Sequence, residues 1–87
     1  MVDKNKFQGE EPLCDVVKRS VDRYFKDLNG QEPANLHELV LSQVERPLLE
    51  IVLREARGNI SKAAQILGIN RATLRTRLKK YELGINK

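Results

Sequence analysis

The sequence predicts an all-α protein of four helices, and three observations predict it. Apolar residues recur at spacings of three and four along most of the chain. Turn-forming residues at Asn29-Gly30, Gly58 and Gly68 break that pattern where helices would end. No stretch alternates apolar and polar residues with the period of a strand, and there is no internal repeat or low-complexity tract.

The elements follow in order. Residues 1–11 are polar and without period, so a flexible tail is expected there. Residues 12–28 form the first helix. Pro12 suits its first turn, where a missing N–H costs nothing. Leu13, Val16, Val17, Val21, Tyr24, Phe25 and Leu28 make one apolar stripe, with Cys14 near it as a buried or half-buried thiol.

Residues 36–56 form a second, longer helix. Asn35 with Glu38 three positions on resembles a capping box. Pro47 inside this helix is expected to kink it toward residues 43–46, and Gly58 to end it. Leu36, Leu39, Val40, Leu41, Val44, Leu48, Leu49, Ile51, Val52, Leu53 and Ala56 cover most of its circumference. A helix apolar nearly all round must be buried on most sides, and one further helix cannot do that. A second copy of the chain can. Its carboxylates Glu45 and Glu50 are expected as solvated partners of Arg46 and Arg54.

The third helix runs from about Ser61 to Leu67, capped by Asn59 or Ser61, and the fourth from Arg71 to about Leu83, capped by Asn70. Between them Gly68 supplies the positive φ that reverses the chain. Ala64 sits where the helices approach most closely, and Ile69 plugs the corner. Leu67, Leu74, Leu78 and Tyr81 form the seam. Residues 58–83 thus read as a helix-turn-helix. The domain reading is one domain over 12–87, with association helices over 12–57 and the helix-turn-helix after them.

Size and composition narrow the function. A chain of 87 residues makes one small domain with little core per copy, so oligomerisation is expected. There is no long apolar run and no apolar signal region, so neither a membrane span nor secretion is expected. The single cysteine can form no internal disulfide, and a reducing cytoplasm is the default. No metal-ligand cluster, phosphate loop or catalytic triad is present, so an enzyme, a metal and a cofactor are not expected. His37 reads as a surface residue and not as a base for Cys14.

The charge is segregated. Residues 1–56 carry eight Lys/Arg and eleven Asp/Glu, a net −3, whereas residues 57–87 carry eight and one, a net +7. Such asymmetry points to a polyanion. On a helical wheel at about 100° per residue, Leu74, Leu78 and Tyr81 face inward within about 60° of each other. Ala72, Thr73, Arg75, Thr76, Lys79 and Lys80 face out, with Arg71 and Arg77 at the flanks. Asn70 and Arg71 lie at the helix N-terminus, the end that reaches base edges in DNA-bound helix-turn-helix proteins. Arg71 and Arg75 are forks able to reach guanine O6 and N7. Thr73, Thr76, Lys79 and Lys80 suit phosphates. Asn59, Ser61, Lys62 and Arg77 complete the candidate DNA-binding set.

These residues carry a resemblance. Tyr24-Phe-Lys-Asp-Leu-Asn-Gly, Leu39 through Glu50, and Arg57 through Tyr81 resemble the factor for inversion stimulation (Fis) family, across about four-fifths of the chain. The resemblance implies a homodimer whose first two helices intertwine as a shared core. It implies base contacts from Asn70 and Arg71, and backbone or flanking contacts from Asn59, Thr73, Arg75, Lys79 and Lys80. It further implies reading helices closer together than one DNA turn, hence bending of double-stranded DNA with an A/T-rich centre. A bacterial, nucleoid-associated transcriptional regulator is expected, with RNA polymerase a candidate partner. Enhancer-binding activators share the motif, but these residues include no ATPase domain, so the stand-alone protein is expected. Eleven residues before Pro12 are too few for the β-hairpin arm of members that stimulate invertases, so that activity is not expected. Thr76 stands where the family usually has lysine. Two other readings remain: an all-α protein–protein adaptor without DNA binding, and a conventional site-specific repressor.

Overall fold

The structure, a computed structural model, describes residues 11–84. Four helices follow one another, α1 (Leu13–Asp27), α2 (Leu36–Glu55), α3 (Ile60–Leu67) and α4 (Arg71–Lys80), with no strand among the described residues. Apart from Glu11, the expected tail lies outside those residues. The chain divides into two compact units, one ending at Ala34 and the other beginning at Asn35.

In the first unit Pro12 stands just before α1, in extended backbone, and its carbonyl accepts the N–H groups of Asp15 and Val16 at 3.1 and 3.3 Å. Asp15 in the first turn and Lys26 in the last complement the helix dipole. Asp22 pairs with Lys26 one turn on at 3.0 Å, and Arg19 with Glu11. Asn29 and Gly30 both take positive φ and stop the helix as expected. Within α1 no residue is buried. Tyr24 and Phe25 meet edge to face at 5.6 Å, yet Phe25 is exposed. Cys14 is also exposed, not buried or half-buried, since nothing in its unit buries any residue of α1.

In the second unit α2 begins differently from expectation. Asn35 has φ 55 and makes no side-chain cap bond, so no capping box forms. A capping side chain needs extended backbone, and the left-handed backbone that Asn tolerates turns it away. The helix continues through Pro47, whose missing N–H removes one rung without ending it. It ends at Glu55, one residue before the expected Ala56. Arg57 already has φ 55, and Gly58 donates back to the Leu53 carbonyl at 3.0 Å, a Schellman closure with a side-chain-bearing residue in the left-handed position.

The core is one cluster: Leu49 and Val52 from α2 with Ala56 at its C-cap, Ala63 and Ala64 from α3, and Leu74, Leu78 and Tyr81 after them. The two alanines let α3 pack against α2 and α4 at once, and Ala63, which the sequence did not single out, is fully buried. Gly68 has φ 74 and reverses the chain as expected. Ile69 does not plug the corner, being 38% exposed, and Ile66 is 51% exposed. Helix α4 stops at Lys80, three residues before Leu83. A continued helix would carry Leu83 roughly 180° from Leu74, into solvent. Instead Glu82 takes φ 56, Leu83 donates to the Leu78 carbonyl at 2.8 Å, and its side chain packs on the core.

Leu74 is the largest fully buried side chain of the cluster. Leu74→Ala is expected to cost about 2–5 kcal/mol, through lost transfer and a cavity. Ile66→Ala is expected to cost no more than about 0.5 kcal/mol. Urea midpoints with unchanged m-values measure both, and equal shifts would contradict this core.

Candidate nucleic-acid interface

The site is built on α3, Gly68 and α4. Each helix is capped by asparagine: the Asn59 side chain accepts from Lys62 N at 3.1 Å, and that of Asn70 from Ala72 N at 2.7 Å. The ambiguity at the start of α3 is thus resolved toward Asn59. With Leu74, Leu78 and Tyr81 anchored inward, Arg71, Thr73, Arg75, Thr76, Arg77, Lys79 and Lys80 are all exposed, as are Asn59, Ser61, Lys62 and Asn70.

These eleven residues are not equivalent. Arg71 Nη1 donates to Ser61 Oγ at 2.9 Å, tying the start of α4 to the first turn of α3. Thr76 Oγ1 donates back to the Ala72 carbonyl at 3.1 Å, so its hydroxyl is occupied on its own helix. Thr73, Arg75 and Lys79 take no side-chain hydrogen bond or ion pair among the described residues. Arg77 and Lys80 turn toward α2. Arg77 Nε lies 3.6 Å from Glu45 Oε2, and Lys80 Nζ lies 2.8 Å from Glu38 Oε2.

The sequence reading missed this polar seam between α2 and α4. Buried Tyr81 donates its hydroxyl to Glu45 Oε1 at 2.7 Å, and Arg46 Nη2 donates to the Tyr81 carbonyl at 3.2 Å. The Arg46 guanidinium and the Lys80 ammonium lie 5.6 and 5.3 Å from the Tyr81 ring centroid, within cation–π range. Glu45 therefore serves Arg77 and Tyr81, and neither of the expected arginines, Arg46 and Arg54. Glu50 does pair with Arg46, at 3.8 Å, as expected, while Arg54 pairs with Glu55 at 3.3 Å. The partners across the seam stand 32 to 42 residues apart, so no local spacing reveals them. The one available signal was that Glu38 and Glu45, seven apart, share a face of α2.

The seam shifts its own titrations. The hydrogen bond from Lys80 holds the Glu38 carboxyl below its ordinary value, and the same bond raises Lys80. Burial raises the Tyr81 phenol, helped by the bond to Glu45. Among the described residues no group of His, Cys, Asp and Glu is placed to hold a metal, and no helix is long and apolar enough to cross a membrane.

The description "Bacterial regulatory protein, Fis family" matches residues 40–81, and "DNA-binding protein Fis N-terminal domain" matches residues 3–33. The chain is 55% identical over 75 residues to the DNA-binding protein Fis of Psychromonas ingrahamii, covering 86% of this chain and 76% of that one. It is 51% identical over 77 residues to that of Glaesserella parasuis, covering 88% and 79%. Against that of Proteus mirabilis it is 54% identical over 72 residues, covering 83% and 74%. The chain belongs to the Fis family. The first Fis description spans α3, α4 and most of α2, so it takes in the basic helix and the Glu45–Tyr81 part of the polar seam but not Glu38.

The seam predicts a pH dependence. A carboxyl whose folded pKa is lowered contributes stability above its unfolded pKa, near 4.5, and loses it as pH falls through the folded value. Glu38→Gln should therefore lower the unfolding midpoint slightly at neutral pH. It should leave the midpoint unchanged at a pH well below 4.5. Added salt should shrink the neutral-pH effect, since both groups are exposed. A Glu38→Gln effect that persisted in acid would have another origin.

Proposed function

We propose that this chain binds double-stranded DNA through α3 and α4, as a homodimer that bends its site and acts as a nucleoid-associated transcriptional regulator in the bacterial cytoplasm. One observation carries the reading. Helix α4 exposes Arg71, Arg75 and Lys79 one turn apart along a single ridge, with no carboxylate among them. A solvated helix face mixes signs, and like charges spaced one turn apart repel. A polyanion removes that repulsion. The name of the relatives, DNA-binding protein Fis, points the same way.

In this reading Asn70 and Arg71 meet base edges, with Arg71 leaving Ser61 Oγ to do so. Thr73, Arg75 and Lys79 meet phosphates, as do Asn59, Ser61 and Lys62 at the start of α3. Lys80, Arg77 and Thr76 are secondary, because each already has a partner within the chain. The homodimer is supported by α2, where Leu39, Leu41, Leu48 and Ile51 are 41–47% exposed on a single copy. RNA polymerase is a further partner for the regulatory role.

A binding series against salt tests the reading. Six to ten phosphate contacts should give log K against log salt a slope of about −5 to −9. A flat slope would sink it. Arg71→Ala should cost about 1–3 kcal/mol on the preferred site and relax base preference. Lys79→Ala should weaken all sequences alike and reduce the slope by about one. Equal loss on specific and random duplexes from Arg71→Ala would remove the base-reading role. Sedimentation showing a folded monomer at micromolar concentration would overturn the dimer, and an unbent site in a circular-permutation shift assay would overturn bending.

A further inference from the structure

The basic face of α4 is already partly answered from within the chain. Lys80 donates to Glu38 Oε1 at 3.0 Å and lies 2.8 Å from Oε2, so both carboxylate oxygens face its ammonium. Arg77 has Glu45 at 3.6 Å. The two pairs differ in what else they hold. Glu45 is only 25% exposed and also accepts the Tyr81 hydroxyl at 2.7 Å, so it is fixed in the seam. Glu38 is 57% exposed, and Lys80 is the one side chain it bonds among the described residues. An exposed pair of this kind is weak and exchanges readily for another anion. A DNA phosphate is such an anion, and it carries the same charge that Glu38 offers.

We propose that Glu38 restrains DNA affinity by holding Lys80, so that the α2 carboxylate and a DNA phosphate compete for one ammonium while Glu45 keeps α4 in place. Glu38 is then a positioning residue that never touches DNA. It lowers binding to every sequence alike, because the phosphate it displaces carries no base information. It also removes one cation per chain from the counterion-releasing set, which makes the salt dependence shallower. The inference rests on the DNA-binding reading above.

The test compares Glu38→Gln with the unaltered protein, each also in a Lys80→Gln background, on an A/T-centred duplex and a random one. Glu38→Gln is expected to bind both duplexes more tightly, with base preference unchanged. Its gain should shrink about fourfold per chain between 50 and 200 mM salt, the signature of one added phosphate contact. In the Lys80→Gln background the gain should vanish. A thermal melt of each variant separates these effects from folding, since a purely structural Glu38 would move the melt and not the salt slope. No tightening by Glu38→Gln, or the same gain without Lys80, overturns the proposal and leaves the DNA-binding reading standing. An unaltered protein that shows no salt-dependent binding overturns both.

Discussion

The second unit depends on giving α4 one dry side. Five of its ten residues are Lys or Arg, and only Leu74 and Leu78 within it, with Tyr81 just after, are buried. A helix so short and so charged is not stable alone, because nucleation is costly and its ridges carry like charges. Its shape is borrowed from the core. Leu74 fits where Ala63 and Ala64 leave room, and α3 needs those small residues to touch α2 and α4 together. Larger residues there would push α4 outward, and the exposed side chains would move with it. The geometry of the basic face is therefore a property of two alanines and three anchors as much as of the cations.

The same constraint explains where the charges go. Arg71, Arg75 and Lys79 share one ridge and repel one another by a few tenths of a kcal/mol per pair. Arg77 and Lys80 on the inner flank would add to this if left alone. The α2 carboxylates Glu45 and Glu38 neutralise the flank, and Arg71 takes the Ser61 hydroxyl. What stays open is the outward ridge. The polar seam thus sorts the cations of α4 into those already answered by α2 carboxylates and those left open on the ridge. Tyr81 is its centre, since its ring belongs to the core while its hydroxyl and carbonyl belong to Glu45 and Arg46.

That sorting marks the limit of what the sequence makes legible. Periodicity and caps are local, so the four helices, the Asn70 cap, the Gly68 turn and the inward seam can all be read from the chain, while the cap of α3 is narrowed only to Asn59 or Ser61. The candidate residues on α4 can be read as exposed for the same reason. What cannot be read depends on tertiary position. Arg57 and Glu82 adopt left-handed backbone without being glycine. In each case the chain must return to the core, at Asn59–Ile60 and at Leu83, and packing outweighs the roughly 1 kcal/mol cost of that conformation. The pairing of Glu38 with Lys80 spans 42 residues and leaves no periodic trace. The wheel places Lys80 outward, while its long stem lets the ammonium reach back to α2.

The apolar surface of α2 sets the last constraint. Its inner side supplies Leu49 and Val52 to the cluster, while Leu39, Leu41, Leu48 and Ile51 remain open. Four large side chains exposed on one helix are hard to reconcile with a solitary chain whose buried core is eight residues among those described. If a second copy covers them, the same helix that fixes α4 through Leu49, Val52 and Glu45 also fixes the partner's α4 through the shared surface. The separation of the two basic ridges would then be set by packing and not by the DNA. Duplex DNA resists bending with a persistence length of about 50 nm, so a mismatch between that separation and one helical turn must be met by deforming the site. Bending would then follow from the apolar composition of α2, and preference for deformable sequences from the bending.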